Sequence, residues 1–239
     1  TFNKLVTVIN LHTVADPRLL VENWQQHFLP TLKKVRQGLL TTLHKVIYDP
    51  TTASLLLFSE FIDDARFGSQ LAHVDLHLDA ALALGFLVTR QVALLHDNGM
   101  AHNNVHPGAL LFKGDVEAQM VQPAMIGLVE PALGLAAMSS DVRALSAMAL
   151  AWMRPLRIEA MPARLRPAFD ELRARLTAWA YDPQHNPPTI DYLVSTLSDG
   201  LAMIDFNFSV LRDSGGDLQE YCLLVLSHRL FHLLWPAGE

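Results

Sequence analysis

Cysteine is almost missing from this chain. The 239 residues hold one, Cys222, which excludes an intrachain disulfide and a thiolate metal cluster. A reducing, intracellular setting is expected, the cytoplasm by default. Long uncharged apolar runs are scarce as well. None reaches the roughly 20 residues that cross a bilayer, and no signal-like segment opens the chain. Positive charge is in deficit: 18 Lys and Arg stand against 24 Asp and Glu, a formal net charge of −6. That argues against a surface that coats nucleic acid. Apolar residues, at 51%, are plentiful, so wholesale disorder is excluded. The length suits one large domain or two small lobes. The chain begins at Thr1 inside a strand-like pattern, as a piece of a longer polypeptide does.

The first 60 or so residues are mixed. KLVTVI at 4–9 alternates and is β-branched, which predicts a strand. Asp16-Pro17 starts a helical pattern over 18–35 that is disturbed at Pro30. HKVIYD and SLLLFSEFI, separated by Asp49-Pro50-Thr51-Thr52, predict a hairpin. The remainder is mainly helical. Leu84, Val88, Val92 and Leu95 recur at helical spacing, and Asn98-Gly99 supplies a stop. A short hairpin is expected from Leu110 to Leu128, turning at Lys113-Gly114, and a helix over Asp141–Met153 capped by Ser139 or Ser140. Leu165, Phe169, Leu172, Leu176 and Trp179 mark an amphipathic helix; Pro187-Pro188-Thr189 ends it and starts another, reaching about Leu201. A last helix is expected over about Leu218–Leu234.

The stretch GMAHNNVHPGALLF at 99–112 has the outline of a reactive loop. His102 and His106 are four apart, a zinc spacing on a helix, but they sit in a loop beside Pro107 with no third ligand in view. His73/His77 and His228/His232 share the spacing and read as surface or half-buried histidines. Arg154, Arg157, Arg164, Arg166, Arg173 and Arg175 form a basic stretch interleaved with Glu159, Asp170 and Glu171. A solvated helical face is the default for it, with an acidic or phosphate-bearing partner as the alternative.

Set in order, these motifs resemble a protein kinase from its third strand onward. LLHDNGMAHNNVHPGALLF is similar to the segment in which His-Arg-Asp is followed by Leu-Lys-Pro-Glu-Asn and an apolar strand. His102 stands at the His position, Asn103 at the Arg and Asn104 at the catalytic Asp. His106 stands at the Lys, Pro107 is kept, and Ala109 replaces the metal-binding Asn. Met125-Ile126-Gly127-Leu128 takes the place of Asp-Phe-Gly-Leu, and Asp141-Val142 resembles the start of the helix under the catalytic loop. Asp182-Pro183 with Pro187-Pro188-Thr189 resembles Asp-Pro…Arg-Pro-Thr without its Arg. The resemblance covers about residues 4–200. It implies an α+β, bilobal, kinase-like fold. A reduced mixed N-lobe would span 1–62, a mainly helical C-lobe 63–204, and an additional helical segment 205–239, with a hinge at Glu60-Phe61.

The resemblance also marks what is gone. Kinase catalysis is positioning and charge neutralisation around a polyphosphate, and magnesium wants oxygen ligands. Val6-Thr7-Val8-Ile9 aligns with Val-Ala-Ile-Lys, so Ile9 stands at the lysine; a register slip toward Lys4 is the alternative. Met125 and Ala109 offer magnesium nothing, and Asn104 neither takes a proton nor carries charge. The interval between Leu128 and Asp141 is too short for an activation loop and a peptide platform. His102, Pro107, Gly127 and Asp141 are expected to keep the shape, with a buried Asp141 carboxylate accepting backbone hydrogen bonds around 101–103. His102 is expected to pack inward and hydrogen-bond backbone near the degenerate Asp-Phe-Gly turn.

The expectation is a pseudokinase that binds other proteins, a scaffold or a subunit of a larger assembly, with no cofactor and no metal. The Scy-like pseudokinases are the most similar group, through the Val-Thr-Val strand, the His-Asn-Asn-Val loop and the Gly-Leu turn. Their members work in coated-vesicle traffic and transfer-RNA handling, so RNA or ribonucleoprotein association enters through that resemblance alone; nucleic acid is otherwise not expected. A divergent bacterial pseudokinase, or one embedded in a large complex, stands beside it. The alternative is a kinase-like enzyme with a repurposed cleft, for example nucleotidyl transfer, with Glu130 and Asp141 as the only carboxylates near the turn.

Overall fold

A computed structural model describes residues 4–35, 43–115, 117–126, 128, 131–153 and 161–236. The first lobe is a three-stranded antiparallel sheet in the order β1-β3-β2, formed by β1 (Lys4–Asn10), β2 (Leu43–Asp49) and β3 (Ser54–Glu60). Ile9 faces Leu55 and Val46 faces Leu57, so alternation turns one apolar set inward. Asp49 makes the β2–β3 turn by accepting from the Thr51 amide at 2.9 Å and the Thr52 hydroxyl at 2.8 Å. Between β1 and β2 run α1 (Pro17–Asn23) and α2 (Leu29–Lys34). Asp16 caps α1 through the Leu19 amide at 3.0 Å. The disturbance expected at Pro30 is a π-helical turn, Trp24–Phe28, between them. Pro30 has no N–H and its ring crowds the carbonyl four residues back, so the helix widens just before it. The turn buries Trp24 against Phe28, edge to face at 5.4 Å.

The second lobe is built around α3 (Leu78–His96). By length and hydropathy α3 could cross a bilayer, but it carries Asp79 and Arg90, so its uncharged runs stay short as expected; 78% of its most apolar window is buried inside the protein, where α4 (Leu135–Met153), α6 (Ile190–Ile204) and α8 (Leu218–Leu234) pack against it. Gly99, with φ at +76°, ends α3. β4 (Arg66–Phe67), β6 (Leu110–Asp115) and β7 (Met120–Met125) form a second sheet in the order β4-β6-β7. β5 (Met100–Ala101) pairs with β8 (Ala132–Leu133). α5 (Arg166–Tyr181) and α7 (Phe206–Asp213) complete the lobe. Phe169, Leu172 and Leu176 are the buried positions of the α5 stripe. Of the arginines near it, Arg154 and Arg157 lie outside the described residues; Arg175 pairs with Glu171 one turn away, as a solvated face does.

Two further expectations shift. Ser139 and Ser140 lie inside α4, which starts at Leu135 because Ala136, Ala137 and Met138 are good helix formers directly after Gly134. Lys113-Gly114 is strand: β6 runs on to Asp115, whose carboxylate accepts from the Ala118 amide at 2.9 Å in the turn. Gly114 is there for packing, since a Cβ at that position would meet the Trp235 ring at 2.6 Å. The described part of the expected C-terminal segment packs on the helical lobe. Leu226, Leu230, Phe231 and Leu234 belong to the helical-lobe core, Ser227 Oγ accepts from the Val121 amide at 2.9 Å, and Arg229 holds Asp79 at 2.7 Å. The end of α8 reaches the start of the lobe, where Trp235 Nε1 donates to the Asp64 carbonyl at 3.2 Å and Arg66 Nε to the Leu234 carbonyl at 3.0 Å.

Candidate functional site

A cleft of about 450 Å³ separates the lobes. Leu5 and Thr7 of β1 and Leu57 and Ser59 of β3 form its roof, Glu60, Phe61 and Ile62 its hinge side, and Leu111, Ile126 and Leu128 its floor. Trp24 of the π-turn borders it from behind. Its carboxylates are Glu60 and Asp64, and no Lys, Arg or His is among the described lining residues. Lys113 lies outside, its Nζ 3.4 Å from both oxygens of Glu60.

The positions that resemblance marks for phosphate chemistry fall into two cores. Ile9 follows Leu5 and Thr7 on the same face of β1, is 6% exposed, and packs in the small-lobe core with Trp24 and Leu55. An aliphatic side chain and an indole thus occupy the region behind the cleft. Ala109 and Met125 are buried together in the other core, Met125 completely. The Ala109 carbonyl accepts from the Ile126 amide at 2.7 Å, closing the floor. Asn104 is half-buried in the loop between β5 and the short turn Pro107–Ala109. Gly127 and Glu130 lie outside the described residues.

The loop itself is held by polar contacts. Asp141, 1% exposed on α4, accepts from the His102 amide at 2.7 Å and the Asn103 amide at 2.8 Å. This is the placement the sequence reading assigned to it. His96 at the end of α3 adds its Nε2 at 3.0 Å. The carboxylate therefore ties two helices to the loop, where Asn103 sits at φ +57°, a conformation asparagine tolerates. Pro107 opens the short turn, and His106 Nδ1 accepts from the Gly108 amide at 3.1 Å, a local cap.

His102 packs inward as expected, and the Ile126 backbone near the degenerate turn acts on its ring without meeting the geometry of a hydrogen bond. Its ring is fully buried, but neither nitrogen has a hydrogen-bond partner among the described residues. Burial drives its pKa down to about 4, against the opposing pull of the Asp141 charge and the Ile126 backbone. The imidazole is a neutral packing group, because the loss of water outweighs both of those influences.

Besides His96, two residues went unread in the sequence. Gln91 of α3 is wholly buried; its Oε1 accepts from the Met125 amide at 3.0 Å and its Nε2 donates to the Pro123 carbonyl at 3.2 Å. It fixes the end of β7, where Pro123 has no N–H to give. One amide inside an apolar helix was the available signal. Arg143 of α4 donates to the carbonyls of Trp179, Asp182 and His185 at 3.1, 3.0 and 2.7 Å. It steadies the Asp-Pro segment from which the resemblance lacked an Arg.

The two lobes, hinge, cleft and loop-anchoring Asp141 define a protein-kinase-like bilobal α+β fold. In agreement, the chain is similar to a solved structure of a divergent kinase lacking the glycine-rich loop, which regulates membrane ultrastructure of the Toxoplasma parasitophorous vacuole: TM-score 0.55, 18% identity, over 85% of this chain and 70% of that one. No protein-family model and no curated protein matches the chain.

Proposed function

We propose that this protein is a pseudokinase, a kinase-like scaffold that acts by binding other proteins and does not transfer phosphate. The observation that carries the reading is the burial of Met125 and Ala109 together in the lobe core, where magnesium ligands would have to stand. A thioether and a methyl group have no affinity for a hard cation. Ile9, packed on Trp24, supports the same reading at the lysine position. The similar solved structure is itself a kinase without a glycine-rich loop, so the reading rests on these positions and not on that loop. Within pseudokinases, the Val-Thr-Val strand and the His-Asn-Asn-Val loop support a Scy-like relation. Nucleotidyl transfer is disfavoured by Asp141, whose carboxylate is already committed to two amides and His96.

The test is thermal unfolding with ATP alone, ATP with Mg²⁺, and ATP with Mn²⁺. A ligand that binds only the folded state raises its stability by mass action. We expect a shift under about 1 °C in every case. A reproducible metal-dependent rise of several degrees overturns the reading and restores the enzyme alternative. Affinity purification with mass spectrometry then identifies the protein partners.

A further inference from the structure

We propose that the cleft is a binding site for a compact, uncharged, largely apolar small molecule carrying a hydrogen-bond acceptor. The inference rests on the reading of this cleft as free of phosphate chemistry and adds what it takes instead.

Its size and walls argue for this class. About 450 Å³ is the scale of a small-molecule pocket, and such pockets are mostly apolar with a few placed polar groups. Leu5, Leu57, Leu111, Ile126 and Leu128 supply the apolar walls, and Thr7 and Ser59 the neutral polar points. Charge decides the sign of the ligand. The described lining holds two carboxylates and no cation, so a phosphate, a sulfonate or a fatty-acid carboxylate would enter against like charge with nothing to neutralise it. Lys113 is drawn to Glu60 at the hinge side and does not line the space.

A second, independent observation concerns Trp24. This residue borders the cleft, is fully buried, and its indole Nε1–H has no acceptor among the described residues. A buried donor without an acceptor is costly. Most buried polar groups in folded proteins have a partner, so each exception calls for an explanation. A ligand carbonyl that reaches this N–H after a small movement of the ring supplies one. The π-helical turn that carries Trp24 is the type of irregularity that recurs at binding sites.

The probe is prodan, a neutral naphthalene with one carbonyl acceptor whose emission moves to the blue in apolar surroundings. It is titrated into the whole chain, with ATP·Mg²⁺ as competitor. Thr7→Arg places a cation on the roof and Ser59→Trp fills the space from β3; either serves if the other fails to fold. Val8→Arg, on the opposite face of β1, is the control. The expected result is one blue-shifted site per chain. It weakens at least about tenfold in Thr7→Arg or Ser59→Trp, is unchanged in Val8→Arg, and weakens severalfold in Trp24→Phe, which removes the N–H while keeping an aromatic ring. No saturable binding by the parent chain, or equal binding by the cleft variants, overturns the inference and leaves the pseudokinase reading standing. Binding of ATP·Mg²⁺, measured by its own stabilisation of the fold, overturns that reading, whether or not prodan also binds.

Discussion

Two sets of positions in this molecule have opposite characters. One is polar and complete: Asp141 collects the amides of His102 and Asn103 and the ring of His96. The other is apolar: Ile9, Ala109 and Met125 stand where resemblance places a cation and two metal ligands. In the first, the partners are the protein's own backbone, which has to be hydrogen-bonded whether or not a substrate comes. In the second, the partners would be phosphate and metal. Without them, buried charges would be uncompensated, and apolar groups are the stable replacement. The difference teaches that what is kept here is what the fold itself needs.

The sharpest way to break this comparison is to put charge back. Met125→Asp sets an unpaired carboxylate in a fully buried site and should cost about 5 kcal/mol in urea unfolding without creating Mg·ATP binding. If the variant is as stable as the parent, the apolar centre is not a packed core. Next comes Asp141→Ala, which leaves two backbone donors without their acceptor; a loss of about 4 kcal/mol is expected by the same measurement. Asp141→Asn keeps one acceptor and should recover part of it.

A smaller effect separates His102 from Asp141. The folded-state pKa of His102, about 4, lies below the ordinary histidine value of 6.5. The unfolded chain therefore binds the proton more readily. The stability from this group is complete above about pH 6.5 and falls away as pH drops toward about 4, by about 3 kcal/mol in all. His102→Gln should flatten that part of the stability-versus-pH curve. An unchanged curve would mean the ring is not the buried neutral group described. The smallest effect is expected from Gln91→Leu, about 2 kcal/mol, because it strips the Met125 amide and Pro123 carbonyl of their partner but fills the space. Hydrogen exchange at the Met125 amide should accelerate in that variant.

Much of the site was legible because kinase-like motifs combine residue type with order. The resemblance marked Asp141, His102, Pro107, Ala109 and Met125 from the loop at 99–112 and the segments after it, and the hydrogen bonds of Asp141 are as expected from it. It did not mark Gln91, His96 or Arg143. Gln91 and Arg143 act on backbone groups, and His96 on the Asp141 carboxylate, 30 to 45 positions away, and no local pattern announces partners so distant in the chain. Gly114 misled for a related reason: glycine at a turn and glycine beneath a tryptophan look the same until Trp235 is in place.

The sequence by itself determined the alternation of β1 and β3, the periodicity of α3 and α5, and the uncharged character of Ile9, Ala109 and Met125. These are properties of residue type and spacing along the chain. Only the tertiary structure decided that α8 joins the helical-lobe core, that Trp24 stands behind the cleft, and that His102 is neutral. Each depends on which surfaces exclude water together, and that is settled when the chain folds.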